Sequence, residues 1–130
     1  MSPKTLVTSL LLAVMVVAPL SAAERTLTTR FVGWEQYFKL DWQAGERAQK
    51  QVVWGHLLND FGMPAARIQL LVEGLDSSGG IVGQKVAWFG SMLTPGMRAY
   101  FEVPVPWKAP TYRVSVFAFD WVQSDNGSFQ

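Results

Sequence analysis

Apolar and polar residues alternate with a period of two along most of the chain, and this pattern limits the fold more than any other feature. Phe38, Leu40 and Trp42 alternate with charged or amide residues. Residues two apart share one face of a β-strand, so such alternation is typical of strands with one buried face. The pattern predicts six strands: Phe38 to Gln43, Gln51 to Asn59, Ala66 to Leu75, Ile81 to Trp88, Arg98 to Val105 and Tyr112 to Val122.

Turn-forming residues separate these segments. Gly45 follows the first strand, and connections rich in Asn, Asp, Gly or Pro lie at 59–64, 76–80 and 93–96. Such residues bond their own backbone, allow positive φ or stop a ladder. Short strands between turns predict an all-β sandwich or barrel of six strands, or of seven if Thr26 to Val32 adds one. Pro104 favours an edge position for the fifth strand, because proline donates no ladder hydrogen bond.

Asn59 is singled out among the turn residues because it ends one strand and begins the connection Asp60 to Pro64. Asn side chains commonly bond nearby backbone groups at strand ends. We therefore expect the Asn59 side chain to bond the backbone of this connection and to tie the two flanking strands together.

The first 23 residues have the three-part pattern of a secretory signal peptide. Lys4 supplies the positive charge, Leu6 to Val17 form the apolar stretch, and Pro19 ends it. Small residues at Ser21 and Ala23 predict cleavage after Ala23. The apolar stretch is too short for a membrane anchor, which needs about 20 residues. We expect a periplasmic or secreted protein with no membrane span after cleavage, divided into a signal peptide (1–23), a β-sandwich domain (24–122) and a polar tail (123–130).

Composition excludes several classes of function. The chain has 11 Lys and Arg against 10 Asp and Glu, and removal of Lys4 with the signal peptide balances them. No nucleic-acid partner is expected, because nucleic-acid binders need a basic surface. The chain has no cysteine, so disulfides and thiolate metal sites are excluded and apolar burial must stabilise the domain. The 6 Trp, 8 Phe and 3 Tyr suit that role.

Residues able to carry chemistry are few and scattered. His56 is the only histidine, so neither a Ser-His-Asp triad nor a histidine-rich metal site is expected. The carboxylates show no pairing that identifies a glycosidase. Those considered are Asp41, Glu73, Asp76 and Asp120. The sequence predicts a non-enzymatic domain without catalytic residues, metal or cofactor.

Several short motifs resemble the FxLYD domains, a group of exported immunoglobulin-like β-sandwiches of bacterial and archaeal envelope proteins. Val53 to Asn59 resembles that family's Gly, small hydrophobe and Asn pattern. Asp76 to Val82 is similar to its Asp-x-x-Gly turn and following strand, and Leu93 to Gly96 to its Leu-x-Pro-Gly turn. The similar stretches also include Pro64 to Val72, Phe101 to Val103 and Tyr112 to Val116. The resemblance implies an immunoglobulin-like antiparallel sandwich of six to seven strands, with no enzymatic activity, cofactor or defined ligand.

The aromatic residues permit two interpretations. They fill the core of a domain without disulfides, or some of them form a solvent-facing row that stacks on sugar rings. We favour core filling, because aromatic residues dominate core energetics. Exposed and coplanar rings at Trp34, Trp54, Trp88 or Trp107 would favour the alternative function, a carbohydrate-binding module.

The last strand carries the candidate binding face. Alternation places two valines on one face and Phe117, Phe119 and Trp121 on the other. Both faces are then apolar, although a sandwich strand needs only one. Either the aromatic segment Phe31 to Tyr37 covers the second face, or a partner does, whether an envelope protein or a second copy of the chain. We favour the internal cover, because that segment is otherwise unexplained. The expected function is that of an exported, non-enzymatic envelope accessory or protein-interaction domain.

Overall fold

The computed structural model describes residues 26–123, which form a short 3-10 helix and six strands. The helix spans Trp34–Gln36. The strands are β1 (Phe38–Arg47), β2 (Lys50–Asn59), β3 (Ala65–Leu75), β4 (Ile81–Trp88), β5 (Arg98–Val105) and β6 (Thr111–Trp121). No helix in this part of the chain is long and apolar enough to cross a bilayer. The predicted signal peptide, its cleavage site and tail residues 124–130 lie outside the described residues.

The strands pair into two three-stranded antiparallel sheets, in the orders β1-β2-β5 and β4-β3-β6. This confirms the all-β prediction, and the two sheets form the layers of a sandwich around one core. β5 lies at an edge of its sheet, as Pro104 predicted. β2 and β3 are the central strands.

The central strands supply much of the core. Ile68, Leu70 and Val72 alternate along β3 and are fully buried, as the sequence predicted. Val53 and Leu57 of β2 belong to the same buried cluster. Burying one such side chain contributes about 1.5 to 3 kcal/mol, so this cluster outweighs any surface ion pair.

β1 continues past the turn predicted at Gly45 and ends at Arg47. The hairpin turn is formed instead by Ala48 and Gln49, whose φ angles are 53° and 67°. Positive φ at both turn residues is the geometry of a two-residue hairpin, which Asn-Gly usually marks in a sequence. A side chain at Gly45 would meet the ring of Trp54 at 3.3 Å. Glycine at this position therefore makes room for a tryptophan ring and does not form a turn.

The segment Thr26 to Val32 does not form the seventh strand considered above. Residues 26–31, here called the N-terminal strap, instead cross to the second sheet as irregular backbone. The backbone N–H of Leu27 donates to Gln84 Oε1, and the Leu27 carbonyl accepts from Gln84 Nε2, both at 2.9 Å. The N–H of Arg30 donates to the carbonyl of Phe117 at 2.8 Å. These isolated bonds hold the strap without making a ladder.

Two register shifts between β3 and β6 change which residues of the last strand face the core. One shift lies beside Arg67, which has a φ of 51°, and the other leaves Phe117 without an opposite residue on β3. An extra residue in one strand moves the residues after it to the opposite face. Phe119 consequently shares the buried face of Val116. The assignment of Phe119 to the face opposite that of Val116 is wrong for this reason.

The prediction for Asn59 is confirmed. Its side chain is fully buried, and its Nδ2 donates to the carbonyls of Met63 at 2.8 Å and Leu93 at 3.0 Å. Its Oδ1 accepts from the N–H of Phe61 at 3.0 Å. The bond to Leu93 adds a connection that the sequence did not indicate, because it joins the β2–β3 turn to the segment between β4 and β5.

Candidate functional site

Of the three aromatic residues predicted as an interaction face, Phe119 and Trp121 lie together, with ring centroids 4.8 Å apart. Phe119 is buried in the core, Trp121 packs half-buried against it, and Phe117 is half-buried at the bulge. The ring of Phe31 lies 4.3 Å from that of Phe119, and the ring of Tyr37 lies 5.3 Å from that of Trp121, centroid to centroid. Phe31 and Tyr37 of the N-terminal aromatic segment therefore cover Phe119 and Trp121, as the internal cover predicted.

A cleft of about 640 Å³ opens along one side of the sandwich, between β1 and β6. The 3-10 helix and β1 form one wall, and β6 with the N-terminal strap forms the other. The apolar lining residues are Leu27, Trp34, Phe38, Leu40, Trp42, Leu71 and Val114. The polar ones are Thr28, Thr29, Glu35, Lys39, Glu73, Arg113 and Ser115. An apolar base with a few polar groups, at this volume, is typical of a ligand-binding site.

The free edge of β6 lies in this cleft. Trp42 Nε1 donates to the carbonyl of Tyr112 at 2.9 Å, and Thr29 Oγ1 donates to the carbonyl of Val116 at 2.6 Å. Backbone groups of alternate residues point to the same edge of a strand. The N–H and C=O of Val114, midway between these two residues, therefore also point into the cleft and away from β3.

One buried carboxylate anchors the strap side of the cleft. The side chain of Glu73 is almost fully buried, and it accepts from Arg113 Nε and Gln84 Nε2, each at 2.9 Å. Because Gln84 also bonds the backbone of Leu27, this network ties the strap to the sheet. The hydrogen bond to Glu73 raises the pKa of Arg113, so the guanidinium stays charged. Both oxygens of Glu73 are engaged, which makes it a structural carboxylate.

Charged and aromatic side chains share the outer face of the first sheet. Asp41 pairs with Arg98 at 3.3 Å and lies 3.4 Å from the ring of His56, the only histidine. Burial opposes the ionised form of Asp41, but hydrogen bonds from Arg98 and His56 outweigh it and lower the pKa of Asp41. The guanidinium of Arg47 lies 4.2 Å over the ring of Trp54. These groups are exposed and paired with one another, as on an ordinary solvated face.

The four tryptophans named for sugar binding lie in different environments. Trp34 is buried in the core, and Trp54 is covered by Arg47. Trp107 is stacked on Tyr112, with a centroid distance of 6.1 Å. Only Trp88, at the end of β4, is largely exposed, with 67% of its surface accessible. The core interpretation therefore fits Trp34, whereas the environment of Trp88 fits an external contact.

A second groove, of about 310 Å³, lies on the opposite side of the sandwich, between the end of β4 and the edge of β5. Its lining includes Trp88 at the end of β4 and Tyr100 and Glu102 of β5. Glu102 Oε1 accepts from Arg47 Nη1 at 2.9 Å and from the Tyr100 hydroxyl at 2.8 Å. Among residues 26–123, no group of three or more His, Cys, Asp or Glu is placed to hold a metal ion.

Neither the cleft nor the groove could be predicted from the sequence, because each is built from segments that are distant in the chain. In the first cleft, Trp34 joins Glu73 and Arg113 only after the two sheets have packed. The one available signal in the sequence was Glu73, which lies at an outward position of β3 between Leu71 and Gly74. A charged side chain that is buried there must find a partner. No protein-family model matches this chain, and a search of curated proteins finds no match.

Proposed function

We propose that this chain is an exported, immunoglobulin-like, non-enzymatic interaction domain of the cell envelope, and that the β1–β6 cleft binds an extended segment of a partner protein. The observation that carries the proposal is the cleft itself, with an edge of β6 that no strand of residues 26–123 pairs with at its base, beside aromatic and aliphatic side chains. An extended peptide adds to such an edge through main-chain bonds, and pockets for alternate side chains select its sequence.

Strand order supports the immunoglobulin-like part of the proposal. An immunoglobulin domain has strands A, B and E in one sheet and C, F and G in the other. β1-β2-β5 matches the order A-B-E, and β3 and β6 match C and F, with β4 as an added neighbour of C. Strand G would pair with the outer edge of F. In residues 26–123 no strand occupies that position beside β6, and only bonds from the strap and Trp42 reach it.

The lining of the cleft suits a peptide with alternating apolar residues. Side chains directed between the sheets would contact Leu40 and Trp42, and those directed outward would contact Leu71 beneath the strap. The charge of Arg113 is balanced by Glu73, so neither sign of charge is favoured at the base. The resemblance to FxLYD domains and the signal-peptide pattern support a partner in the cell envelope.

Site-specific crosslinking tests the proposal in native envelopes. A photoreactive amino acid at Leu40 lies inside the cleft, and the matched control at Gln43 lies on the exposed outer face of the same strand. We expect a discrete crosslinked partner from Leu40 and none from Gln43. Equal labelling from both positions would reject the cleft as the binding site.

A proline variant then tests the strand-addition geometry. Val114→Pro removes an N–H that points into the cleft and spares the ladder with β3, because proline is tolerated where a strand's N–H faces outward. Ser115→Pro removes an N–H from the β3 ladder and should unfold the domain. Because Val114 is also a core side chain, Val114→Pro should lower the thermal midpoint yet leave the domain folded, unlike Ser115→Pro, and it should lose the Leu40 crosslink. Retention of that crosslink in folded Val114→Pro would contradict main-chain pairing.

A further inference from the structure

The N-terminal strap is held on the edge of β6 at the place where an added strand would pair. Thr29 Oγ1 donates to the carbonyl of Val116 at 2.6 Å, and the N–H of Arg30 donates to the carbonyl of Phe117 at 2.8 Å. An added strand pairs with alternate residues of an edge, so it needs the outward groups of Val114 and Val116. A segment that extends past Val114 therefore cannot pair with β6 until Thr29 has moved.

A glutamine holds the other end of the strap. Gln84 Oε1 accepts from the N–H of Leu27, and Gln84 Nε2 donates to the Leu27 carbonyl, both at 2.9 Å. The same Nε2 donates to Glu73 Oε2 at 2.9 Å, and this bond orients the amide. Gln84 thus offers an acceptor and a donor to one residue of the strap, as a paired strand would. This two-point contact holds the strap in its closed position.

The core of the domain is complete without residues 26–30 of the strap. Leu27 is 38% exposed, and Arg30 is also exposed. No residue of 26–30 belongs to the buried cluster between the sheets or packs against it. Phe31, by contrast, lies against Phe119, with ring centroids 4.3 Å apart. Phe31 is therefore a fixed anchor, about which residues 26–30 can lift without opening the core.

We infer that the strap is an internal competitor for the β1–β6 cleft, and that a partner segment pairing along β6 displaces residues 26–30. This inference rests on the proposed function, since it concerns the access of the same partner to the same cleft. A closed strap reduces the apparent affinity for the partner in proportion to the fraction of molecules that are open. Weakening the strap therefore raises that affinity. A strap that closed over the bound partner would have the opposite effect.

Hydrogen exchange of the purified protein measures the opening of the strap without a partner. We expect the amides of Leu27 and Arg30, followed by NMR, to be protected at least about a hundredfold less than the amide of Val72. Val72 lies in the central strand β3 and is paired on both sides. Equal protection of Arg30 and Val72 would mean that the strap opens only when the domain unfolds, and would overturn the inference.

Crosslinking from Leu40 in native envelopes tests the competition. Thr29→Val removes the bond to Val116, whereas the control Arg30→Ala keeps the backbone bond to Phe117. We expect Thr29→Val to raise the initial rate of the discrete Leu40 product about fivefold, the effect of one hydrogen bond, and Arg30→Ala to change it less than about twofold.

The outcomes separate this inference from the proposed function. An unchanged or lower rate of the Leu40 product in Thr29→Val, or an equal rise in Arg30→Ala, would overturn the competition alone. Equal labelling from Leu40 and Gln43 would reject the proposed function and the competition with it.

Discussion

Replacement of Asn59 by alanine gives the most direct test of how the loops of this domain are held. The side chain makes three hydrogen bonds, two as a donor to carbonyls and one as an acceptor from an N–H. These bonds join the β2–β3 turn to the segment that precedes β5. Asn59→Ala removes all three and leaves their partners in place.

The expected loss can be worked out bond by bond. Each neutral hydrogen bond contributes about 1 kcal/mol net, and a buried partner left unsatisfied costs about 1 to 3 kcal/mol. The Leu93 carbonyl keeps a second hydrogen bond from the N–H of Ala65, so the free-energy cost of losing the bond from Asn59 is small at this carbonyl. The Met63 carbonyl and the Phe61 N–H are only partly buried, and water can replace some of what is lost. The free energy of unfolding should therefore fall by about 2 to 3 kcal/mol in Asn59→Ala.

Urea denaturation of the two proteins measures this difference, and thermal unfolding checks it. For a domain of this size the loss corresponds to a fall in thermal midpoint of about 10 to 20 °C. Asn59→Asp is the control, since it keeps the shape and the acceptor for Phe61 but turns both donors into acceptors that face carbonyls. It should be at least as destabilising as Asn59→Ala at neutral pH. A change within about 0.5 kcal/mol for Asn59→Ala, or a tolerated Asn59→Asp, would refute the hydrogen-bond argument.

Three further predictions concern packing and the turn after β3. Gly55→Ala should destabilise the domain by about 3 kcal/mol or more, because a Cβ at this position overlaps the β1 backbone. The control Gly62→Ala has open space around it and should change the denaturation midpoint little. Phe119→Ser should cost about 3 kcal/mol or more in chemical denaturation, because it empties a core site, and half-buried Phe117→Ser should cost clearly less. The pKa of Asp76, measured by NMR titration, should lie below 3.8, because bonds from Ser78, Gly80 and the Ser78 backbone favour the carboxylate. The stability that this shift contributes is present above pH 3.8 and is lost as the pH falls through the lowered value.

Strand positions were predictable from the sequence because most strands alternate between a core-facing residue and an outward-facing one. The alternation of Ile68, Leu70 and Val72 needs only a period of two and a core on one side. The hairpin at Ala48 and Gln49 was not predictable, since neither residue is typical of positive φ. The register of the two flanking strands determines this turn. Ten residues of each strand are paired, from Phe38 with Asn59 to Arg47 with Lys50, which leaves Ala48 and Gln49 to form the connection.

The last strand shows why faces are harder to predict than strands. Strict alternation with a period of two puts Phe119 and Trp121 on the outer face. This alternation produced the apparent second apolar face. The structure inserts one unpaired residue at Phe117, which restores a single buried face. Two apolar faces in one strand thus have a third explanation besides an internal cover and a partner, namely a bulge between them. Here the bulge and the internal cover act together, because Phe31 and Tyr37 pack on the residues that the bulge turns inward.

The two open sides of the sandwich also differ in how their edges are protected. On the β4–β5 side, Lys85 donates to the carbonyl of Pro104 at 2.6 Å, so a charge and a proline stand at the facing edges. Both are devices that discourage strand addition at this edge. On the other side, the edge of β6 is covered by side-chain bonds from Trp42 and Thr29 and by one main-chain bond from Arg30 to Phe117. Single side-chain bonds contribute about 1 kcal/mol net each, so an incoming strand can replace them with main-chain bonds of the same strength and add apolar contacts in the cleft.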